Sequence, residues 1–338
     1  MVIDLRSDTV TKPTKEMLEY MFQAEVGDEV YDEDPTIDAL EEKAAHMFGK
    51  EAGLFCPSGT MTNQIAVKAS TQPQQEVICH KYSHIYNYEG GGLFFNSGVS
   101  VKLVDGDGGR FTSAEVVNNI NPDDVHYPET KLVTIENTAN RGGGAYYDIK
   151  EVEKISIACK ENDLLLHLDG ARIFNALVES GETAGQYGEL CDSISICLSK
   201  GLGAPVGSVL LGTKEFIKKS NRIRKALGGG MRQAGYLAAA GVYALDNNID
   251  RLKDDHDRAR KICEMIKELS FVQNILPVYT NMIFFDMANG YSVEKFLNDL
   301  AKHDIKADPM GPNQIRMVTH LDFNDDMLEV LGKTLKTF

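Results

Sequence analysis

Two apolar runs decide how this chain folds: Leu164-Leu165-Leu166-His167-Leu168-Asp169-Gly170-Ala171-Arg172 and Ile194-Ser195-Ile196-Cys197-Leu198-Ser199-Lys200-Gly201-Leu202-Gly203. Each is a short, nearly continuous hydrophobic stretch closed by polar and glycine residues, as expected of a strand buried on both faces. Outward from them, such runs alternate with amphipathic stretches. Strands are predicted at 76–79, 99–104, 131–135, 164–168, 193–198 and 208–211, and helices at 35–48, 112–120, 148–161, from 171, at 213–227 and at 231–247. The first helix has Asp34 as cap, Pro35 in its first turn, one apolar face of Ile37, Leu40, Ala44, Met47 and Phe48, and Gly49 as its stop. Strand and helix taking turns predicts an α/β domain with a mostly parallel sheet.

From residue 248 the pattern changes to a long charged helix through 269, a strand at 282–285, a helix at 292–303, a strand at 315–318 and a terminal helix. A chain of 338 residues also exceeds what one core of about 250–300 residues supports. The expected organisation is a large domain over 1–247, its N-terminal segment 1–14 free to pack elsewhere, and a small α+β domain over 248–338. The formal charge of 35 − 50 = −15 opposes binding to nucleic acid or to an anionic membrane surface. With no apolar stretch near membrane-spanning length and no secretory pattern, a cytoplasmic protein is expected. Six scattered cysteines without a C-x-x-C pair predict reduced core thiols rather than disulfides or a metal centre.

In open α/β sheets ligands bind beyond the carboxyl ends of the strands, which directs attention to Asp169 and Lys200. A lysine stopped at a strand end beside Ser199 and two glycines is placed to be partly desolvated and to act as a Schiff-base nucleophile; the competing reading is a solvated loop lysine. Asp169 could equally be a helix cap. The small-residue turn Cys56-Pro57-Ser58-Gly59-Thr60-Met61-Thr62-Asn63 opens a helix whose free N–H groups suit a single phosphate, and it lacks the glycine patterns of nucleotide-triphosphate and dinucleotide sites. An amine nucleophile, a ring-nitrogen partner and a phosphate seat together point to pyridoxal 5′-phosphate, covalent on Lys200.

Longer blocks carry a family likeness: Arg6-Ser7-Asp8-Thr9-Val10-Thr11, Val26-Gly27-Asp28-Glu29-Val30-Tyr31, Ser199-Lys200-Gly201-Leu202-Gly203-Ala204-Pro205-Val206-Gly207-Ser208, Gly228-Gly229-Gly230-Met231-Arg232-Gln233-Ala234-Gly235 and Arg316-Met317-Val318-Thr319-His320. With these the chain resembles the low-specificity L-threonine aldolases of the aspartate-aminotransferase-like fold type I, over nearly its whole length. The likeness implies retro-aldol cleavage of a β-hydroxy-α-amino acid, L-threonine or L-allo-threonine, to glycine and acetaldehyde. Transamination, racemisation or β-elimination on the same fold is the alternative.

It also implies roles by position. Lys200 corresponds to the lysine that holds the cofactor, Asp169 to the carboxylate on the pyridine nitrogen, Gly59 and Thr60 to the phosphate turn, and His84 to the imidazole stacked on the ring. Arg172, three past Asp169 and expected on the same helical face, corresponds to an arginine near the cofactor and the substrate carboxylate, which Ser7 and Arg316 complete. His126 corresponds to a second histidine near the substrate hydroxyl, and Tyr31 and Arg232 to residues at a subunit interface. His84 and His126 are left as rival bases, and a homotetramer with shared sites is implied. Ala204, where many relatives carry threonine, and Asp32 depart from the family pattern without touching these groups.

Overall fold

The computed structural model describes residues 2–288 and 290–338. Its strands are β1 (Ile3–Asp4), β2 (Ala52–Cys56), β3 (Glu76–His80), β4 (Ser100–Val104), β5 (Thr130–Glu136), β6 (Leu165–Gly170), β7 (Ser193–Cys197), β8 (Ser208–Gly212), β9 (Val272–Ile275), β10 (Met282–Met287), β11 (Ile305–Lys306), β12 (Asp308–Pro309) and β13 (Gln314–Val318). Strands β2 to β8 form one seven-stranded sheet in the order β2-β8-β7-β6-β5-β3-β4. β8 is antiparallel to both of its neighbours and the other pairings are parallel, so the expected mostly parallel α/β sheet is present. β6 lies at its centre with β7 beside it, and Leu166 and Leu168 of β6 and Ile194 and Ile196 of β7 are buried.

The register matters for the site. Glu136 of β5 pairs with Asp169 of β6, and Asp169 with Ser195 of β7, so three polar side chains lie side by side where these strands end. The strand β2 was not anticipated; it is an edge strand of only five residues, Ala-Gly-Leu-Phe-Cys, with two small members that weaken the strand signal.

The helix Pro35–Met47 is capped as expected, Asp34 accepting the N–H groups of Thr36 and Ile37 at 3.2 Å. The other oxygen of Asp34 accepts the N–H of Gly235 at 2.9 Å. A Cβ at Gly235 would lie 2.3 Å from that carboxylate, so only glycine fits, and the helix Gly235–Asn247 begins there instead of at 231. The next helix spans Leu252–Lys267 rather than 248–269, because Asn248 ends the preceding helix and turns its amide onto the Leu202 carbonyl at 2.7 Å.

A second sheet, β12-β13-β10-β9, is antiparallel and packs with the helices Leu252–Lys267, Val293–Ala301 and Asp325–Leu335. Ile3 and Leu5 are buried in this second core, and β1 pairs in parallel with β11. The six cysteines are free and buried. Among the described residues no helix is long and apolar enough to cross a membrane.

Candidate active site

Four adjacent strands deliver side chains to one edge of the large sheet. His84 follows the end of β3, Glu136 ends β5, Asp169 lies near the end of β6, and Lys200 stands three residues past β7. Each apolar run stops where its strand leaves the core, and the next polar residue is left at the carboxyl edge, where open α/β sheets bind ligands.

Asp169 is buried and fixed from two sides: Asn63 Nδ2 donates to Oδ2 at 2.9 Å and the Ala171 N–H donates to Oδ1 at 3.2 Å. Asn63 also donates to Glu89 at 2.9 Å, and its own carbonyl faces His167 Nε2 at 3.2 Å. Burial pushes His167 down to about 4, so it stays neutral and acts as a hydrogen-bonded core residue between Ser193 and Asn63. Glu89 meets His84 Nδ1 at 3.0 Å, and the ligand atoms of His84, Glu89 and Asp169 all lie within 4.8 Å of one another.

Burial works against a charged His84, but the hydrogen bond to Glu89 and the Asp169 charge outweigh it and raise its pKa above the ordinary imidazole value. Burial, reinforced by Asp169, likewise pushes Glu136 up. Glu136 accepts the N–H of His84 at 2.7 Å and that of Asn140 at 2.8 Å, tying the segments after β3 and β5 together. Lys200 is half-buried, its charge is felt at both His84 and Asp8, and its amine makes no hydrogen bond or ion pair among the described residues.

Arg172 requires a correction. It does not share a helical face with Asp169: Asp169 belongs to β6, and Arg172 is the residue before the helix Ile173–Ser180. Its guanidinium is buried and held by Asp8, Nε to Oδ2 and Nη2 to Oδ1, both at 2.7 Å. Burial alone would raise the Asp8 carboxyl, yet the adjoining Arg172 guanidinium holds it well below the usual carboxylate range. Ser7, next in the chain, caps the short turn Asp8–Val10 by accepting the Thr9 N–H at 3.2 Å.

Arg316, from β13, reaches in from the second sheet. It donates to Asn140 Oδ1 at 3.1 Å, the Arg6 carbonyl at 2.9 Å and Asp308 at 2.8 Å, leaving its buried Nε unpartnered. At the far side, Ser58 caps the helix Gly59–Ser70 through the Met61 N–H at 3.2 Å. The N–H groups of Gly59 and Thr60 in its first turn have no intrahelical acceptor. A Cβ on Gly59 would approach Cys197 Sγ to 2.5 Å, so this turn sits hard against the end of β7, just before Lys200.

The structure does not bring His126, Tyr31 or Arg232 to this cluster within one chain. His126 precedes β5, at the end of the sheet opposite Glu136; seven residues of strand separate the two ends, roughly 20 Å. It is exposed, pairs with Asp124 at 2.6 Å and faces a groove with Gln72–Gln75. Arg232 pairs with Asp28 at 3.0 Å on the surface, and Tyr31 is 70% exposed on the same turn. The sequence reading in turn missed Asp8, Asn63, Glu89 and Glu136. Glu89 lies five residues past His84, a spacing that could have drawn attention to it.

Residues 4–290 match the family described as Beta-eliminating lyase, a class of pyridoxal-phosphate-dependent enzymes. The chain is 41% identical to a low specificity L-threonine aldolase of Escherichia coli, covering all of this chain and 99% of that one. It is 42% identical to low-specificity L-threonine aldolase 1 of Arabidopsis thaliana, over 94% and 91% of the two chains. A threonine aldolase structure from Leishmania major superimposes with a TM-score of 0.85 at 22% identity, 99% of each chain being covered, which confirms fold type I. The chain belongs to the low-specificity L-threonine aldolase family, and it is a lyase that works with pyridoxal phosphate. The site fits that cofactor: an unpartnered amine, a carboxylate held in place by two donors, an imidazole at its side and an open helix terminus meet at one sheet edge.

Proposed function

We propose that this enzyme cleaves L-threonine and L-allo-threonine to glycine and acetaldehyde by breaking the Cα–Cβ bond. The observation that carries the reading is the convergence of His84, Asp169 and Lys200 at the carboxyl ends of β3, β6 and β7 on one sheet edge.

Bound pyridoxal phosphate supplies an electron-withdrawing ring that makes release of the Cα–Cβ electron pair feasible. Lys200 holds it through its amine, Asp169 pairs with the ring nitrogen, and the Gly59 and Thr60 N–H groups receive the phosphate. The substrate carboxylate is bound by Arg316, with Ser7 and the one Arg172 nitrogen not engaged by Asp8. Holding the carboxylate fixes rotation about the bond to Cα, and positioning of this kind supplies about 7–11 kcal/mol in favourable cases. His84 takes the β-hydroxyl proton; with Nδ1 bound to Glu89, its Nε2 is the nitrogen left to receive it.

We further propose that Tyr31, Arg232 and His126 serve a neighbouring subunit's site in a homotetramer. Their exposure in the single chain supports this, as do Phe94 and Phe95, exposed at 79% and 85%. The two separate apolar cores support a boundary near residue 248, and six free buried thiols support a reducing, cytoplasmic setting. The test is Lys200→Ala in the purified enzyme: cleavage should fall by roughly 10³-fold or more with the fold intact. A variant with full turnover would remove the assignment.

A further inference from the structure

The mouth of the site beyond His84 holds a cation that the reaction on threonine does not use. Three guanidinium groups lie near one another here. Arg172 is neutralised by Asp8 and Arg316 by Asp308, whereas Arg141 forms no ion pair among the described residues. Arg141 is nevertheless held in place. Its Nε donates to Tyr88 Oη at 2.5 Å, its Nη1 donates to the Met310 carbonyl at 2.9 Å, and the guanidinium lies 5.6 Å from the Tyr88 ring centroid. Nη2 is left without a partner among the described residues, and because Tyr88 Oη is the acceptor in its bond to Arg141, the phenol proton remains available to donate.

Tyr88 and Arg141 both line a cavity of about 450 Å³, together with Tyr82, Asn87 and Gln314. Tyr88 connects it to the reacting end, its ring lying 5.6 Å from that of His84. Tyr88 thus has the His84 ring and the Arg141 guanidinium each 5.6 Å from its own ring centroid, so the cavity and the His84 end of the site share this residue. The α-carboxylate has its own proposed receptor in Arg316, Ser7 and Arg172, and Arg316 donates to Asn140, the residue before Arg141.

We propose that this cavity is a second carboxylate subsite, and that the enzyme also cleaves β-hydroxy-α-amino acids whose β-substituent is itself a carboxylate, with Arg141 reading that group. A planar guanidinium with a free nitrogen beside a phenol donor suits a carboxylate better than it suits a methyl group. The inference rests on the cleavage proposed above. For β-hydroxyaspartate the Cα–Cβ bond breaks, the β-hydroxyl loses its proton as its carbon becomes the aldehyde of glyoxylate, and the electron pair left on Cα takes a proton to give glycine.

The holoenzyme is given L-threonine and, in parallel, the L-threo and L-erythro forms of β-hydroxyaspartate, with acetaldehyde and glyoxylate measured separately. Both aldehydes are expected. Arg141→Gln should lower kcat/KM for β-hydroxyaspartate by roughly 10- to 100-fold, mostly through KM, and for threonine by less than about threefold. Acetaldehyde without glyoxylate from the unsubstituted enzyme overturns the subsite and leaves threonine cleavage standing. So does an Arg141→Gln enzyme in which both substrates lose equally or neither loses. If acetaldehyde is missing as well, the cleavage reading falls and this inference falls with it.

Discussion

Asp8 and Arg172, 164 residues apart, form a two-pronged ion pair with both contacts at 2.7 Å and both side chains buried. The pair joins the N-terminal segment, whose Ile3 and Leu5 belong to the second core, to the strand end that carries Asp169. Asp8→Ala would leave a buried guanidinium uncompensated, and a loss of about 3–5 kcal/mol is expected in denaturant unfolding. The Asp8 carboxyl is depressed in the folded state, so its stabilisation is present above its ordinary pKa of 3.8 and disappears as pH falls below it. Asp8→Asn should flatten that part of the acid-unfolding curve; an unchanged curve would mean that the pair does not bear on stability.

With His84 as the proposed base, its raised pKa is expected to set the pH dependence of turnover. Only neutral imidazole can accept the hydroxyl proton, so kcat/KM should climb with pH through a value above the ordinary 6.5. Glu89→Gln removes the carboxylate hydrogen-bonded to Nδ1, and the rising limb should move to lower pH. A limb that stays in place would argue that another group is the base.

Arg224 ties three segments together. Its Nη1 donates to the Phe55 carbonyl at 2.6 Å, it pairs with Glu29, and its carbonyl accepts the Gly229 N–H at 2.9 Å. Phe55 lies on the edge strand β2, which leads into the Gly59 turn. Arg224→Met should cost about 3–5 kcal/mol by stranding Glu29, and Arg224→Met with Glu29→Met should recover much of it. Additive losses in the double variant would contradict the coupling.

Glu41 holds the other side of the same residue, accepting the Phe55 N–H at 2.6 Å, and burial pushes it up to about 8 from 4.5. A carboxyl with a raised folded pKa gives stability that is complete below its unfolded value and is lost as pH rises toward the folded one. Stability should therefore decline between about pH 4.5 and 8, and Glu41→Gln should decline less. Parallel profiles for the two proteins would show that Glu41 does not titrate there.

The central strands, Asp169 and Lys200 were legible because each apolar run ends where its strand leaves the core, so the polar residue after it marks the site's edge. The Asp8–Arg172 pair was not, since no local pattern connects residues 164 positions apart. Glu136 follows the run 131–135 in the same way as Asp169 follows its own, but only the register that sets it beside Asp169 shows what it does there. His126 shows the reverse. Its surroundings in the sequence match the family, but the residue lies before β5 rather than after it, and within one chain position along a strand decides whether a side chain reaches this site.

The most direct test of the central claim is to add L-threonine, and separately L-allo-threonine, to the purified enzyme with pyridoxal phosphate and no keto acid, and to follow acetaldehyde release with a coupled reductase. Acetaldehyde and glycine in equal amounts from both substrates is the expected result. Bound cofactor with no acetaldehyde from either would contradict it.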